Sequence, residues 1–279
     1  MQTKIIDAHS HIGLGYNNEY SNIEEYKMVR EALGIEVSFL MPQPIFTNNK
    51  NQEELDRLNN NVFKIINKSD IKNKLFFIPM VSPIYTKPYI LETYIETYQP
   101  IALKIHFKND YSYPELITEE WISIIKKYNI PLIIHTDYSK SNNNEKDKLK
   151  NLNSALKWFQ FFNRTGIKGY LTHGARLNQY VLENINMTDN IKIGLGPDLL
   201  LSSQPHTTEQ MNYLKTLHDY VDPSKLIYDV DYNWNRNKDT GLIDLDSVKR
   251  IEDMWDIKEQ EQILRTNSIE FFGIQKRIK

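Results

Sequence analysis

Eight short apolar runs, alternating with longer amphipathic stretches, constrain this chain more than any other feature. They fall near residues 3–8, 36–41, 75–81, 101–107, 131–136, 168–173, 191–195 and 225–231. Most are continuously apolar, the pattern of parallel strands covered on both faces. Between them Leu55, Leu58, Val62, Ile65 and Ile66 keep a helical period, as do Leu152, Ala155, Leu156, Phe159 and Phe162. Helix starts are expected where Ser21-x-x-Glu24 and Thr207-x-x-Gln210 fit a capping box, and where Glu119-Glu120 follows Thr118. The Asn-rich stretches 47–52 and 141–145 read as surface loops.

Eight strands separated by helices within 279 residues indicate a (β/α)8 TIM barrel of the α/β class. One domain spanning 1–279 is expected, closed from about residue 245 by helices carrying Val248, Ile251 and Trp255, then Ile263, Leu264 and Ile269. A doubly wound open sheet is the alternative, and it would carry a glycine-rich phosphate loop. The nearest match, Gly194-Leu195-Gly196-Pro197, lacks a third glycine and runs into a proline, so it reads as a turn.

Metal-ligand residue types recur at the ends of these runs. Ile5-Ile6-Asp7-Ala8-His9-Ser10-His11 places two imidazoles on one strand face, because side chains alternate along a strand. His135, His173 and Asp231 end the fifth, sixth and eighth runs, and Lys104 and His106 share a face toward the end of the fourth. In a barrel all carboxyl ends of strands converge on one rim, so residues distant in sequence become one site there. Imidazole plus carboxylate, without thiolate, suits Zn²⁺, Mn²⁺ or Fe²⁺ with an open coordination position. Such an ion lowers the pKa of its water toward ~7. Asp231 can accept that proton and pass it to a leaving group, while His173 polarises a carbonyl under attack.

Composition narrows the alternatives. There is no cysteine, which excludes disulfides, thiolate metal sites and cysteine nucleophiles. A net charge of −2 without a basic run offers nothing to nucleic acid or an anionic membrane. No apolar stretch reaches the roughly 18–20 residues of a membrane span. Met1-Gln2-Thr3-Lys4 leads into the first strand without a signal-peptide layout, so a cytoplasmic protein is expected. The expected partner is a small-molecule substrate, and self-association into a homo-oligomer stays open.

Over nearly its whole length the chain resembles the amidohydrolase superfamily, within it the amidohydrolase-related (type 2) group. The resemblance rests on Ile5–Gly13, Ala102-Leu103-Lys104-Ile105-His106, Leu132-Ile133-Ile134-His135-Thr136, Leu171-Thr172-His173-Gly174 and Leu226–Tyr232, with Asn267 at a closing structural position. It implies a (β/α)8 fold, a divalent metal and hydrolysis of C–N or C–O bonds; some relatives decarboxylate aromatic or unsaturated acids instead. His9, His11, His135 and Asp231 map onto metal ligands. His173 maps onto a second-metal ligand or a substrate-binding residue, and Lys104 onto a lysine that bridges two ions when carboxylated. One ion and an unmodified Lys104 are the expectation. The chain departs from the pattern at Asp229, which stands where the family commonly has glycine.

The resulting expectation is a hydrolase whose metal-bound hydroxide attacks a carbonyl of a small amide, lactone or ester. A decarboxylase and a noncatalytic ligand-binding barrel are the alternatives. Lys104, His106, Arg176, Asp229 and Trp234 are candidate substrate contacts. Their bland counterparts are an ion pair for Lys104, rim packing for His106, a salt bridge near a helix start for Arg176 and, for Asp229, a carboxylate that stands behind the ligands or in solvent. His206 and His218 lie away from strand ends, and Trp158, Phe159, Phe161 and Phe162 read as helix packing.

Overall fold

The computed structural model describes residues 4–14, 20–44, 50–106, 113–136, 145–196, 208–232 and 243–278. Its strands are β1 (Ile5–Leu14), β2 (Ile35–Pro42), β3 in two pieces (Leu75–Phe77 and Met80–Val81), β4 (Leu103–Ile105), β5 (Leu132–Ile134), β6 (Gly169–Leu171), β7 (Ile191–Gly194) and β8 (Leu226–Ile227). Each pairs in parallel with the next along the chain, apart from the break within β3 and the turn back from β8 to β1. A two-residue strand, Tyr20–Ser21, adds antiparallel to the end of β1.

Hydrogen bonds close the wall at both seams. The run expected over 75–81 is interrupted at Ile78-Pro79, because proline has no N–H to give the ladder. Ile78 N still donates to Leu40 O on β2, at 2.9 Å, and Pro79 O accepts from Lys104 N on β4, also at 2.9 Å. The two halves of β3 therefore hand the wall from one ladder to the other. At the opposite seam Ala8 N donates to Tyr228 O, Asp231 N to His9 O and His11 N to Tyr232 O. The chain from 228 to 232 is thus bonded to β1 although the regular part of β8 ends at Ile227.

Helices follow the strands on the outside: α1 (Ile23–Leu33), α2 (Gln52–Lys68), α3 (Pro88–Tyr98), α4 (Glu119–Tyr128), α5 (Glu145–Thr165), α6 (Gln179–Asn184), α7 (Thr208–Tyr220) and α8 (Ser247–Met254). α1, α2, α4 and α6 start under side chains that accept otherwise unpaired N–H groups. Thr118 caps α4 as expected. At α1 the cap is Asn22, one residue after the expected Ser21, with its side chain accepting from Glu24 N. The expected start at Thr207-x-x-Gln210 begins outside the described residues. Among the described residues no helix is long and apolar enough to cross a membrane.

The apolar residues form two layers. Ile6, Ala8, Val37, Phe39, Met41, Ile78, Ala102, Ile133, Tyr170 and Ile227 fill the barrel interior. Leu103, Ile105, Leu132, Ile134, Leu171, Ile193, Leu226 and Tyr228 face outward, against helix residues that include Trp121, Trp158, Phe159, Phe161 and Phe162. The last helices, α9 (Ile257–Glu261) and α10 (Asn267–Phe272), flank a π-helical turn, Gln262–Thr266. They plug the amino-terminal end of the barrel. Arg265 donates to Lys4 O, Lys168 to Phe271 O and Arg277 to Gln99 O, and these partners precede or leave strand starts. Asn267 Nδ2 donates to Pro223 O and Leu226 O, the structural role its position suggested. With that end closed, the opposite rim is left for chemistry.

Candidate metal centre

The site begins with a carboxylate that binds no ligand. Asp7 Oδ1 accepts from Val230 N at 2.9 Å and His9 N at 3.2 Å, and Oδ2 accepts from Ser10 Oγ at 2.6 Å and from Tyr26 Oη. Ser10 Oγ in turn accepts from Tyr232 N. Together these bonds set β1 against the chain leading to Asp231. Burial pushes the Asp7 carboxyl above its usual range, against the pull of its four donors. The pairing of β1 with β2 shifts register between Asp7 and Ser10. Ile6 and Ala8 face inward, and the shift lets His9 and His11 do so as well.

His9 is fully buried and meets a different group at each ring nitrogen. Nε2 lies 2.8 Å from Lys104 Nζ and 3.1 Å from His11 Nε2. Nδ1 faces two carboxylates, Asp231 Oδ1 at 3.6 Å and Asp229 Oδ2 at 3.8 Å. His11 Nδ1 sits 2.6 Å from Pro42 O, and a carbonyl only accepts, so Nδ1 carries the proton in the neutral ring. Its Nε2 then presents a lone pair, 3.8 Å from Asp231 Oδ1. With Lys104 close to His9 Nε2, that nitrogen and His11 Nε2 turn their ring lone pairs toward one space beside the Asp231 carboxylate. A cation satisfies that arrangement.

His173 lies on the other side of Asp231, with Nδ1 3.9 Å from Oδ2 and Nε2 3.0 Å from His135 Nδ1. His135 stacks on His106 with ring centroids 3.9 Å apart. One ligand atom from each of His9, His173 and Asp231 lies within 4.8 Å of the others, and all three residues are buried. This tight group includes His173, where the sequence placed His135 among the ligands of the first ion; His135 touches the group through His173.

Strand alternation does not explain how His173 enters the site. Tyr170 faces inward and Leu171 outward, so a continued strand would turn position 173 outward. Instead φ is 55° at His173, 58° at Gly174, 49° at Ala175, 55° at Arg176 and 50° at Leu177. This left-handed turn swings the imidazole toward Asp231, itself at φ 51°. Arg176 is buried in the turn, its Nε donating to Thr136 O at the end of β5. At Gly174 a Cβ would sit 2.3 Å from Tyr213 Oη, so no side chain fits.

Burial dominates the charges here. It pushes Lys104 down to about 7, against the opposite pull of Asp231 and then Asp229. It also holds His9 well below the usual imidazole value, with Lys104 adding to the effect. It pushes Asp229 up to about 8, although Tyr170 donates to that carboxyl.

No protein-family model and no curated protein matches this chain. Solved structures do. The 4-oxalomesaconate hydratase of Rhodopseudomonas palustris superposes with a TM-score of 0.65 at 14% identity, over 98% of this chain and 97% of that one. The IDCase of Metarhizium anisopliae gives 0.68 at 9% identity, over 98% of both chains. The D-hydantoinase of Thermus sp. gives 0.66 at 15% identity, over 98% of this chain and 71% of that one. The fold is the TIM barrel that these structures share.

Of the residues singled out in the sequence, His9, His11, His173, Lys104, Asp229 and Asp231 converge in this barrel, with His135 and His106 alongside. Trp234 and His206 lie outside the described residues. His218 is on α7, its ring 5.6 Å from Trp255 and away from the site. Gly194, read from the sequence as part of a turn, ends β7 as a strand residue. Asp7, Ser10, Tyr26 and Tyr170 were not anticipated. Asp7 alone left a signal, as an acid inside an apolar strand.

Proposed function

We propose that this chain is a metal-dependent hydrolase of the amidohydrolase superfamily, acting on a carbonyl of a small amide, lactone or ester. The observation that carries the reading is the convergence of His9 Nε2 and His11 Nε2, 3.1 Å apart, beside the Asp231 carboxylate. The donor set fits a borderline divalent ion, most simply one Zn²⁺, with Mn²⁺ or Fe²⁺ as alternatives. His9, His11 and Asp231 would hold it, with His135 and His173 on the far side of the carboxylate. When bound, the ion acts as a Lewis acid and brings hydroxide within reach of neutral pH.

The chain's own residues supply the rest. Asp231 takes the proton released on attack and returns it to the leaving group. His173, kept in place by the left-handed turn and by His135, donates to the developing oxyanion. Lys104 would stay an unmodified amine, which leaves His9 Nε2 to the ion and turns to the Asp231 and Asp229 carboxylates that raise its pKa against burial. His106, Arg176 and Trp234 contact the substrate.

The test is metal per chain by elemental analysis, for the wild type and for His9→Ala and His11→Ala. About one ion in the wild type and none in either variant is expected. Full occupancy in both variants overturns the assignment. Turnover of amide, lactone and ester libraries then supports hydrolysis, whereas CO₂ released without a hydrolysis product overturns it in favour of decarboxylation.

A further inference from the structure

We propose that Asp229, buttressed by Tyr170, is a positioning residue that accepts the Nδ1 proton of His9 and so aims Nε2 at the ion. The proposal rests on the metal site described above and gives that site a part the sequence pattern does not supply.

Asp229 shares the inner face of its strand with Asp231 but lies one step deeper, where its side chain is wholly buried. Tyr170 Oη donates to Asp229 Oδ2 at 2.5 Å, and His9 Nδ1 stands 3.8 Å from the same oxygen. Among the described residues that buried nitrogen has no hydrogen-bond partner. A proton belongs there, because Nε2 receives the Lys104 amine on the other side of the ring. An N–H buried without an acceptor is costly, and a carboxylate behind a ligating imidazole both satisfies it and fixes the ring.

Asp231 is as near to Nδ1 as Asp229, but it also faces His11 Nε2 at 3.8 Å and His173 Nδ1 at 3.9 Å. Once Asp231 turns to an ion, Asp229 is the carboxylate left for His9. A shift of about 1 Å brings that contact to normal hydrogen-bond length.

The neighbouring strand is shaped around this carboxylate. A Cβ on Gly194 would lie 2.6 Å from Asp229 Oδ2 and 2.4 Å from Tyr170 Oη, and one on Gly196 would lie 2.7 Å from Asp229 Oδ1. Neither glycine has a positive φ, so the backbone does not require glycine at these positions; the space does. Asp229 itself stands where the sequences this chain resembles carry glycine.

The experiment titrates metal-free protein with Co²⁺, reading the visible ligand-field band and the affinity by competition with a chelator. The variants are Asp229→Ala, Asp229→Asn and the double variant Tyr170→Phe/Asp229→Leu. The double variant removes both partners of the buried hydrogen bond and so protects against failure to fold. Expected is a loss of Co²⁺ affinity of about 10–100-fold in Asp229→Ala and in the double variant, with an altered band and an unchanged far-UV spectrum. Asp229→Asn, whose amide oxygen still accepts, should recover part of the loss. Wild-type affinity and band in the folded double variant overturn the role of Asp229 while leaving the metal site standing. A wild type that takes up no Co²⁺ overturns the metal site itself.

Discussion

Gly194→Ala tests the packing of the barrel interior directly. The added methyl would meet Tyr170 Oη at 2.4 Å, Asp229 Oδ2 at 2.6 Å and Tyr170 Cζ at 2.9 Å, all well inside contact distance. None of these atoms is the loose end of a surface side chain, since Tyr170 and Asp229 are buried and bonded to each other. Overpacking of this kind costs about 1–3 kcal/mol, and straining the Tyr170–Asp229 bond adds about 1 kcal/mol. The lower entropy of an unfolded alanine returns about 0.4–1 kcal/mol. The net loss is about 1–3 kcal/mol. For a chain of 279 residues that lowers Tm by about 2–5 °C. Scanning calorimetry and urea titration on the wild type, Gly194→Ala, Asp229→Gly and the double variant complete a cycle. With Asp229 absent the Oδ2 clash is gone and the Tyr170 ring is released from its bond to give way, so the cost of the methyl should fall by at least about 1 kcal/mol. A Gly194→Ala protein as stable as the wild type, or an equal cost in both backgrounds, would refute the reasoning.

Two other substitutions probe the rest of the frame. Asn267→Ala removes the side-chain donor to Leu226 O and one of the two donors to Pro223 O, which keeps Leu226 N, and should cost about 1–3 kcal/mol in urea titration, with metal retention of the folded protein unchanged; a cost below about 0.5 kcal/mol would deny Asn267 its closing role. Lys192 is pushed down to about 8 by burial and then by Lys225, so its contribution to stability is present above the unfolded value near 10.4 and lost as pH falls through about 8. The urea midpoint of the wild type should therefore rise more steeply than that of Lys192→Met between about pH 8 and about pH 10, and parallel curves would count against the shift.

The barrel was legible because each strand is an apolar run and each ligand type stands where a run ends. Lys104, His106, His135 and Asp231 sit on the faces that alternation assigns to them. What the sequence hid depends on partners far along the chain. The break at Ile78-Pro79 is visible as a proline, but its use as a seam between two ladders depends on Leu40 and Lys104. Tyr170 reads as one more apolar strand residue until Asp229 appears across the interior. The α1 cap moved from Ser21 to Asn22 because both residue types cap well and the backbone decides between neighbours. Gly194 looked like a turn because glycine marks both turns and close approaches, and only the strand beside it tells them apart.

The segment from His173 to Leu177 winds opposite to the other helices among the described residues. For L-residues that handedness costs roughly 1–2 kcal/mol each, and among these positions only Gly174 escapes it. The turn's own hydrogen bonds, from Ala175 N to Thr172 O and from Asn178 N to Ala175 O, are few against such a cost; restraints from outside it include Arg176 on Thr136, His173 on His135 and Tyr213 packed over Gly174. The turn can therefore hold only after those neighbours are assembled, and it is the first part to relax when they loosen. As it reverts to ordinary backbone, His173 swings away from Asp231 while the strands remain paired. On warming, competence at the rim would be lost ahead of the barrel, which makes the imidazole of His173 a local reporter of how complete the fold is.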